Sequence, residues 1–208
     1  MLPSDVLSPN GHAQQKREGR DKLAAPCQYV GAMRQLLLLR HAKSAWDDPA
    51  LADHARPLNG RGRRAAAAMA SAMRGLGLSP DVVLVSSARR TLQTLEALSP
   101  LPDSPIIEPM DELYLASWQN LLGLLHRVPE TARSVLLIGH NPGLHDLALA
   151  LTGADAMARN PEARRMAGAF PTAALAEFSI SSPWPQLAEG GGRLVRFMIP
   201  ADLPEMAE

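Results

Sequence analysis

Two apolar runs in this sequence end at a histidine. Leu36–Leu39 is followed by Arg40 and His41, and a second run, Val135–Gly139, leads directly into His140. Apolar runs of this length are typical of buried β-strands. Ligands of open α/β sheets bind at the carboxyl ends of the strands. An unprotonated imidazole beside a permanent cation suits an anionic substrate, and phosphate is the obvious candidate.

A third segment adds positive charge. Val82–Val85 predicts another buried strand, and Ser86–Arg90 follows it. Because the carboxyl ends of parallel strands lie at one edge of a sheet, these three strands would bring two histidines and several arginines together. Helices that begin there add free backbone N–H groups and a partial positive charge. The sequence therefore predicts an oxyanion-binding site at this edge.

The elements that must position this site alternate along the chain. The apolar runs predict strands at Gln35–Leu39, Val82–Val85, Ile106–Ile107, Val135–Ile138, Ala173–Ile180 and Leu194–Ile199. Four helices are expected between them. The first runs from Gly60 to Met73, and the other three end near Leu98, Arg127 and Gly153. The secondary structure of Ala154–Ala169 is ambiguous. This alternation indicates an α/β fold, a three-layer sandwich with a mostly parallel central sheet and helices on both faces.

Polar residues at the expected helix starts predict where each helix is capped. The expected capping residues are Asn59, Ser86 or Ser87, Ser117 and Asn141, with Pro142 at the first helical position of the last helix.

The composition limits the classes of protein to which this chain can belong. The chain has 208 residues, 46% of them hydrophobic, and a formal net charge of +0, which argues against a nucleic-acid partner. Cys27 is the single cysteine, so no internal disulfide is expected and a reducing compartment is favoured. The sequence lacks an apolar run long enough for a membrane span and the apolar core of a signal peptide. We therefore expect a cytoplasmic protein without a membrane partner.

The first 32 residues differ from the remainder. The stretch from His12 to Lys22 is polar and charged without apolar periodicity, which predicts a disordered N-terminal extension at 1–32. One domain is then expected at 33–208.

Four motifs occur in a specific order. They are Arg40-His41-Ala42-Lys43-Ser44, Arg56-Pro57-Leu58-Asn59, the segment Ser86–Thr94, and Gly139-His140-Asn141-Pro142-Gly143. In this order they resemble the histidine phosphatase (phosphoglycerate-mutase-like) superfamily, and most of all its small SixA-type phosphohistidine phosphatases. The resemblance covers residues 33–203.

The resemblance implies roles for the central residues. His41 matches the nucleophile that forms a phosphohistidine, which splits the transfer into two easier steps. Arg40 and Arg90 match the arginines that hold phosphoryl oxygens, and Arg89 is expected in solvent. His140 matches the second histidine, which would donate a hydrogen bond to the phosphoryl group as imidazole or imidazolium.

Other residues have weaker assignments. The resemblance places Arg56 near the phosphate, although Asn59 of the same motif could simply cap a helix. Lys43 and Asn141 are expected to line the pocket. Glu112 is the candidate general acid, because relatives carry an acidic residue near this position. Asp47 and Asp48 are the alternatives.

The predicted activity is that of a metal-independent hydrolase without a cofactor, acting on a protein phosphohistidine or a small phosphorylated metabolite. Alanine at position 42, where the wider superfamily has glycine, argues more against a mutase than against a phosphatase. A phosphoglycerate-mutase-like phosphotransferase and a phosphate-binding regulatory module without turnover remain the alternatives. A metal centre is disfavoured, because His140 and His145 are five residues apart and would point about 140° away from each other on a helix.

Overall fold

The computed structural model describes residues 33–206. The predicted extension at 1–32 lies outside these residues. Six strands form one sheet: β1 (Arg34–Arg40), β2 (Val82–Ser86), β3 (Ile106–Met110), β4 (Ser134–Gly139), β5 (Leu175–Ile180) and β6 (Gly192–Met198). Their order across the sheet is β3-β2-β4-β1-β5-β6. The β3, β2, β4 and β1 strands are parallel, whereas β5 is antiparallel to both of its neighbours.

Helices cover both faces of this sheet. They are α1 (Gly60–Gly75), α2 (Arg89–Leu98), α3 (Trp118–Leu125), α4 (Gly143–Thr152), α5 (Ala154–Arg159) and α6 (Pro161–Gly168). Successive side chains of a strand point to opposite faces, so each central strand contributes to two cores. Leu36 and Leu38 of β1 pack with residues of α3, α4 and α6, whereas Leu37 and Leu39 pack with residues of α1 and α2. The predicted three-layer α/β fold with a mostly parallel sheet is confirmed.

Two of the predicted helix caps are confirmed. The side chain of Asn59 accepts a hydrogen bond from the Gly62 amide at 2.8 Å at the start of α1. Ser117 accepts one from the Asn120 amide at 3.3 Å at the start of α3. Within residues 33–206, no helix is both long and apolar enough to cross a bilayer.

The other two caps are wrong, and both errors lie at the strand ends that form the site. Ala88 precedes α2 without a side-chain cap, because the Ser86 hydroxyl bonds His140 and the Ser87 hydroxyl bonds His54 instead. Pro142 rather than Asn141 precedes α4, since the Asn141 side chain donates a hydrogen bond to Phe170. The ambiguous stretch 154–169 forms α5 and α6.

Candidate active site

The histidine-bearing ends of β1 and β4 lie side by side. Arg40 is in register with Gly139, and the His41 amide donates a hydrogen bond to the Gly139 carbonyl at 3.1 Å. The His41 and His140 rings, which come from segments about a hundred residues apart, therefore meet with their centroids 5.1 Å apart and a tilt of 53°. The parallel pairing of two distant strands produces this juxtaposition.

The tautomer of His41 is fixed by its own backbone. Its Nδ1 lies 2.8 Å from the Ala42 carbonyl oxygen, which can only accept a hydrogen bond. Nδ1 therefore carries the proton, and Nε2 keeps its lone pair. Burial, assisted by the charges of Arg90 and Arg40, lowers the pKa of His41 to about 4, against the opposing effect of the Ala42 hydrogen bond. The ring is neutral at physiological pH, as a nucleophile must be.

The chain that follows His41 is anchored by α2. The Ala42 amide donates to the Thr94 hydroxyl at 3.0 Å, and that hydroxyl donates to the Arg90 carbonyl at 2.7 Å. Ala42 is fully buried against Leu58 and Ala66. These two hydrogen bonds couple the backbone after His41 to the helix that carries Arg90.

The second histidine has both ring nitrogens engaged. Arg90 Nη2 lies 3.3 Å from His140 Nδ1, and a guanidinium can only donate, so Nδ1 is the acceptor. His140 Nε2 therefore carries the proton and donates to the Ser86 hydroxyl at 2.8 Å. Burial, then the nearby His41 and Arg90, lowers the pKa of His140 to about 3. His140 is thus a neutral imidazole whose one N–H is donated to Ser86, so in this structure it has no free N–H for a phosphoryl group and is not the imidazolium that the sequence left open.

Arg90 is held by a carboxylate that sequence reasoning missed. Its Nη1 donates to the Asp53 carbonyl at 2.6 Å and its Nη2 to Asp53 Oδ2 at 2.9 Å. The Tyr114 hydroxyl donates to the same Oδ2 at 2.6 Å. The hydrogen bond from Tyr114, together with Arg90 and Arg56, lowers the pKa of Asp53 despite the opposing effect of burial. Asp53 is therefore ionised and pairs with the cation that faces His140.

The backbone carbonyl of Phe170 orients two further polar side chains. The Phe170 oxygen accepts from Arg40 Nη1 at 2.9 Å and from Asn141 Nδ2 at 2.9 Å. Arg40 Nε and Asn141 Oδ1 are buried without a hydrogen-bond partner among residues 33–206. Burial, followed by the charge of Arg90, lowers the pKa of Arg40. An anion bound beside these crowded guanidinium groups would relieve their mutual repulsion.

Arg56 is stacked on an aromatic ring at the rim. Its guanidinium carbon lies 3.6 Å from the centroid of Trp46, whose side chain is 69% exposed. Arg56 Nε is 4.0 Å from Asp53 Oδ1, and Nε and Nη1 are buried without hydrogen bonds among the described residues. The cation is thus held flat, with donors available beside the site.

These side chains surround one cleft of about 370 Å³. Its walls are formed by Arg40, His41, Lys43, Ser44, Trp46, Asp53, Arg90, Leu115, His140, Asn141 and Thr172. Six of the eight predicted site residues line it, and Arg56 contacts two of its wall residues, Trp46 and Asp53.

A model of the histidine phosphatase superfamily (branch 1) matches residues 36–140, which is half of the chain. The matched segment contains both histidines that meet in the cleft. This chain belongs to the histidine phosphatase superfamily.

Solved structures of this superfamily share the fold. A SixA structure from Nakamurella multipartitia has a TM-score of 0.71 and 32% identity, and the likeness covers 81% of this chain and 96% of that one. A structure of the protein histidine phosphatase SixA complexed with tungstate has a TM-score of 0.64 and 26% identity, with 81% and 98% coverage. The predicted SixA-type resemblance is confirmed.

Uncharacterized proteins of other organisms are also similar. One from Mycobacterium tuberculosis is 34% identical over 165 residues, 78% of this chain and 99% of its own. A chloroplastic protein of Arabidopsis thaliana is 35% identical over 133 residues, which is 58% of this chain and 60% of the plant protein.

Among the predicted site residues, Glu112 lies away from the cleft. It lies in a single helical turn, Asp111–Leu113, and its carboxylate pairs with Arg127 beyond the end of α3. Both side chains line a different cavity from that of His41. The structure therefore does not bring Glu112 to the reacting groups, and the prediction of a general acid there is corrected.

The two alternative candidates for the general acid also lie outside the cleft. Asp47 and Asp48 are exposed and line another surface cavity, beside Pro57 and Arg63. Arg89 is exposed, as expected, whereas the neighbouring Arg90 is buried.

Proposed function

We propose that this protein is a metal-independent phosphatase that hydrolyses phosphohistidine or a small phosphomonoester through a phosphohistidine intermediate on His41. The observation that carries this proposal is the free lone pair on His41 Nε2 in a cleft lined by Arg40, Arg90 and Lys43. The hydrogen bond from Nδ1 to Ala42 fixes which nitrogen reacts, so no tautomer change precedes attack.

The reaction has two displacements at phosphorus. In the first, the Nε2 lone pair forms a bond to phosphorus, and the bond to the leaving group breaks with its electron pair passing to that group. In the second, water attacks the phosphoryl group, the N–P bond breaks, and the electron pair returns to His41 Nε2. Inorganic phosphate is released together with one proton.

The transition state of each displacement carries its charge on the equatorial phosphoryl oxygens. Preorganised cations and N–H donors that face these oxygens lower the barrier, commonly as the largest catalytic contribution. Arg40 and Arg90 are oriented for this role by hydrogen bonds to the backbone carbonyls of Phe170 and Asp53, respectively. Both guanidinium groups are thus held before substrate enters, which reduces the entropic cost of binding.

The cleft has one carboxylate among the described residues, and its ionised state favours a leaving group that departs without receiving a proton. Asp53 is the carboxylate that lines the cleft within residues 33–206, and its lowered pKa keeps it ionised rather than ready to donate a proton. Alkoxide leaving groups depend on a general acid, whereas an imidazole that is protonated on its other nitrogen leaves as a neutral molecule. This difference supports phosphohistidine as the substrate class. The likeness to the protein histidine phosphatase SixA supports the same substrate class, and the tungstate in that structure supports oxyanion binding.

The proposal is tested with His41→Ala and a matched control, His126→Ala. His126 bonds the Leu187 carbonyl and does not line the cleft. Hydrolysis of a phosphorylated histidine-containing protein, phosphoramidate and para-nitrophenyl phosphate is measured with a chelator present. We expect His41→Ala to lose at least about a thousandfold in kcat/KM and the control to retain its activity. Activity of His41→Ala within tenfold of the unmodified protein would refute the proposal.

A further inference from the structure

A second cavity adjoins the cleft. It has a volume of about 280 Å³ and shares two wall residues, Lys43 and Thr172, with the cleft that contains His41. Its remaining walls are Arg61, Ala65, Pro171, Ile199, Pro200, Ala201 and Met206. A substrate whose phosphoryl group reaches His41 can therefore extend past Lys43 into this space.

The first turn of α1 holds Arg61 close to Lys43. The Lys43 carbonyl accepts a hydrogen bond from the Asn59 amide at 3.0 Å. Gly62 lies so near that an added Cβ would stand 2.1 Å from the Lys43 oxygen. The start of α1 thus packs against the main chain of Lys43. The side chains of Lys43 and Arg61 consequently line the same cavity.

These two cations have no partners within residues 33–206. Lys43 and Arg61 are both exposed, and neither side chain makes an ion pair or a hydrogen bond there. None of the residues that line the cavity is acidic. Asp202, which follows Ala201, is engaged by Arg165 and by the Ile199 amide.

The position of Arg61 also opposes the stability of its helix. It lies in the first turn of α1, which contains no acidic residue, and cations are unfavourable at the positive end of a helix dipole. A bound anion would offset this repulsion. Anion binding therefore gives a physical reason for a cation at this position.

We propose that this cavity, the Lys43–Arg61 subsite, binds a second anionic group carried by the leaving group of the substrate. The inference rests on the proposed phosphatase function. With the phosphoryl group against His41, a carboxylate or a second phosphate lies between Lys43 and Arg61. The apolar wall of Ile199 and Met206 covers the carbon skeleton that joins the two anions.

The test compares phenyl phosphate with its meta- and para-carboxylated analogues. We expect the unmodified protein to prefer a carboxylated analogue in kcat/KM, and Arg61→Gln to reduce this preference by about threefold to tenfold. Added salt should weaken the preference in the same direction, because the subsite is exposed to solvent. A preference that Arg61→Gln leaves unchanged would overturn the proposal.

Arg74→Gln is the matched control, since it removes the same charge from the same helix. It lies 13 residues further along α1, which is about 20 Å. We expect it to leave the preference intact, and an equal loss would show a general charge effect and overturn the subsite. Thermal unfolding provides a second readout, because Arg61→Gln should not lower the melting temperature if the residue serves binding rather than folding.

Two further experiments complete the test. One distinguishes a protein from a small molecule as the source of the second anion, and the other tests the subsite independently of the proposed phosphatase function. Phosphohistidine peptides with and without a neighbouring glutamate test a protein source, whereas the phenyl phosphates test a small-molecule source, and a preference in either arm supports the subsite. Binding of phenylphosphonate and carboxyphenylphosphonate is measured by calorimetry. Tighter binding of the carboxylated phosphonate, lost in Arg61→Gln, supports the subsite even if no phosphate ester is hydrolysed and the proposed function fails.

Discussion

Asp53 and Arg90, which both line the cleft, form an ion pair with Oδ2 accepting from Nη2 at 2.9 Å. The same arginine also donates to the Asp53 backbone carbonyl at 2.6 Å. Arg90 is buried, whereas the Asp53 side chain is 44% exposed and lines the cleft. The pair therefore places a negative charge beside the position where an anionic substrate must bind.

Asp53→Asn should strengthen the binding of oxyanions. The substitution removes one negative charge from the cleft, while the main-chain hydrogen bond keeps Arg90 in place. We expect inorganic phosphate and tungstate to bind about threefold to tenfold more tightly. Competitive inhibition constants and calorimetry measure this change. Weaker binding would show that the Asp53 carboxylate is needed to orient Arg90, contrary to this account.

The two cleft histidines should remain neutral well below the ordinary histidine pKa. Their pKa values are lowered to about 4 for His41 and about 3 for His140, so both rings are unprotonated at pH 6. Nitrogen NMR of the ring resonances during an acid titration measures this state directly. Protonation of either ring above pH 6 would contradict the burial argument.

The lowered pKa values of His41 and His140 also determine how the free energy of unfolding changes with pH. Between about pH 6.5 and 4 the unfolded chain binds protons that the folded His41 and His140 do not. The free energy of unfolding should therefore fall as the pH is lowered through this range. Urea unfolding at several pH values should show a smaller fall in His41→Asn than in the unmodified protein.

Trp46→Ala should weaken anion binding through Arg56. The ring supports the guanidinium at 3.6 Å, and its removal frees that side chain to move. We expect a loss of about threefold to tenfold in affinity for tungstate, with much of it restored in Trp46→Phe. In a double-mutant cycle, the effects of Trp46→Ala and Arg56→Ala should be less than additive. Full additivity would show that the two residues act independently.

Glu112→Gln should leave turnover almost unchanged. Its carboxylate pairs with the exposed Arg127 outside the cleft, so it neither donates a proton to the leaving group nor orients a cleft residue. We expect kcat/KM for phenyl phosphate, whose basic leaving group depends on a general acid, to stay within about twofold, because exposed ion pairs contribute little. A loss of tenfold or more would restore Glu112 as the general acid.

The sequence predicted the residues that project from strand ends better than it predicted their hydrogen-bond partners. Apolar runs that end at His41 and His140 fix both the strand and the polar residue after it, so parallel pairing brings the two rings together. Asp53 carried no such signal, because it lies in a loop turn and reaches Arg90 only through tertiary folding. Tyr114, which bonds Asp53, was missed for the same reason.

The errors at helix starts have a common physical cause. Ser86 and Asn141 have the side chains that favour capping, yet both occur where the site needs their polar groups. Local propensity predicts a cap, but a buried histidine and a backbone carbonyl offer these side chains stronger tertiary partners. Asn59 and Ser117 face no such competition, and both cap their helices as predicted.

The central claim is that His41 Nε2 becomes covalently phosphorylated during turnover. Rapid-quench reaction with a ³²P-labelled phosphohistidine protein, followed by alkaline denaturation and peptide mass spectrometry, measures this intermediate directly. The account predicts a label on His41 that forms before phosphate is released, survives alkali and is lost in acid. Steady hydrolysis without any phosphoryl group on His41 at the earliest times, or a label on another residue, would contradict it.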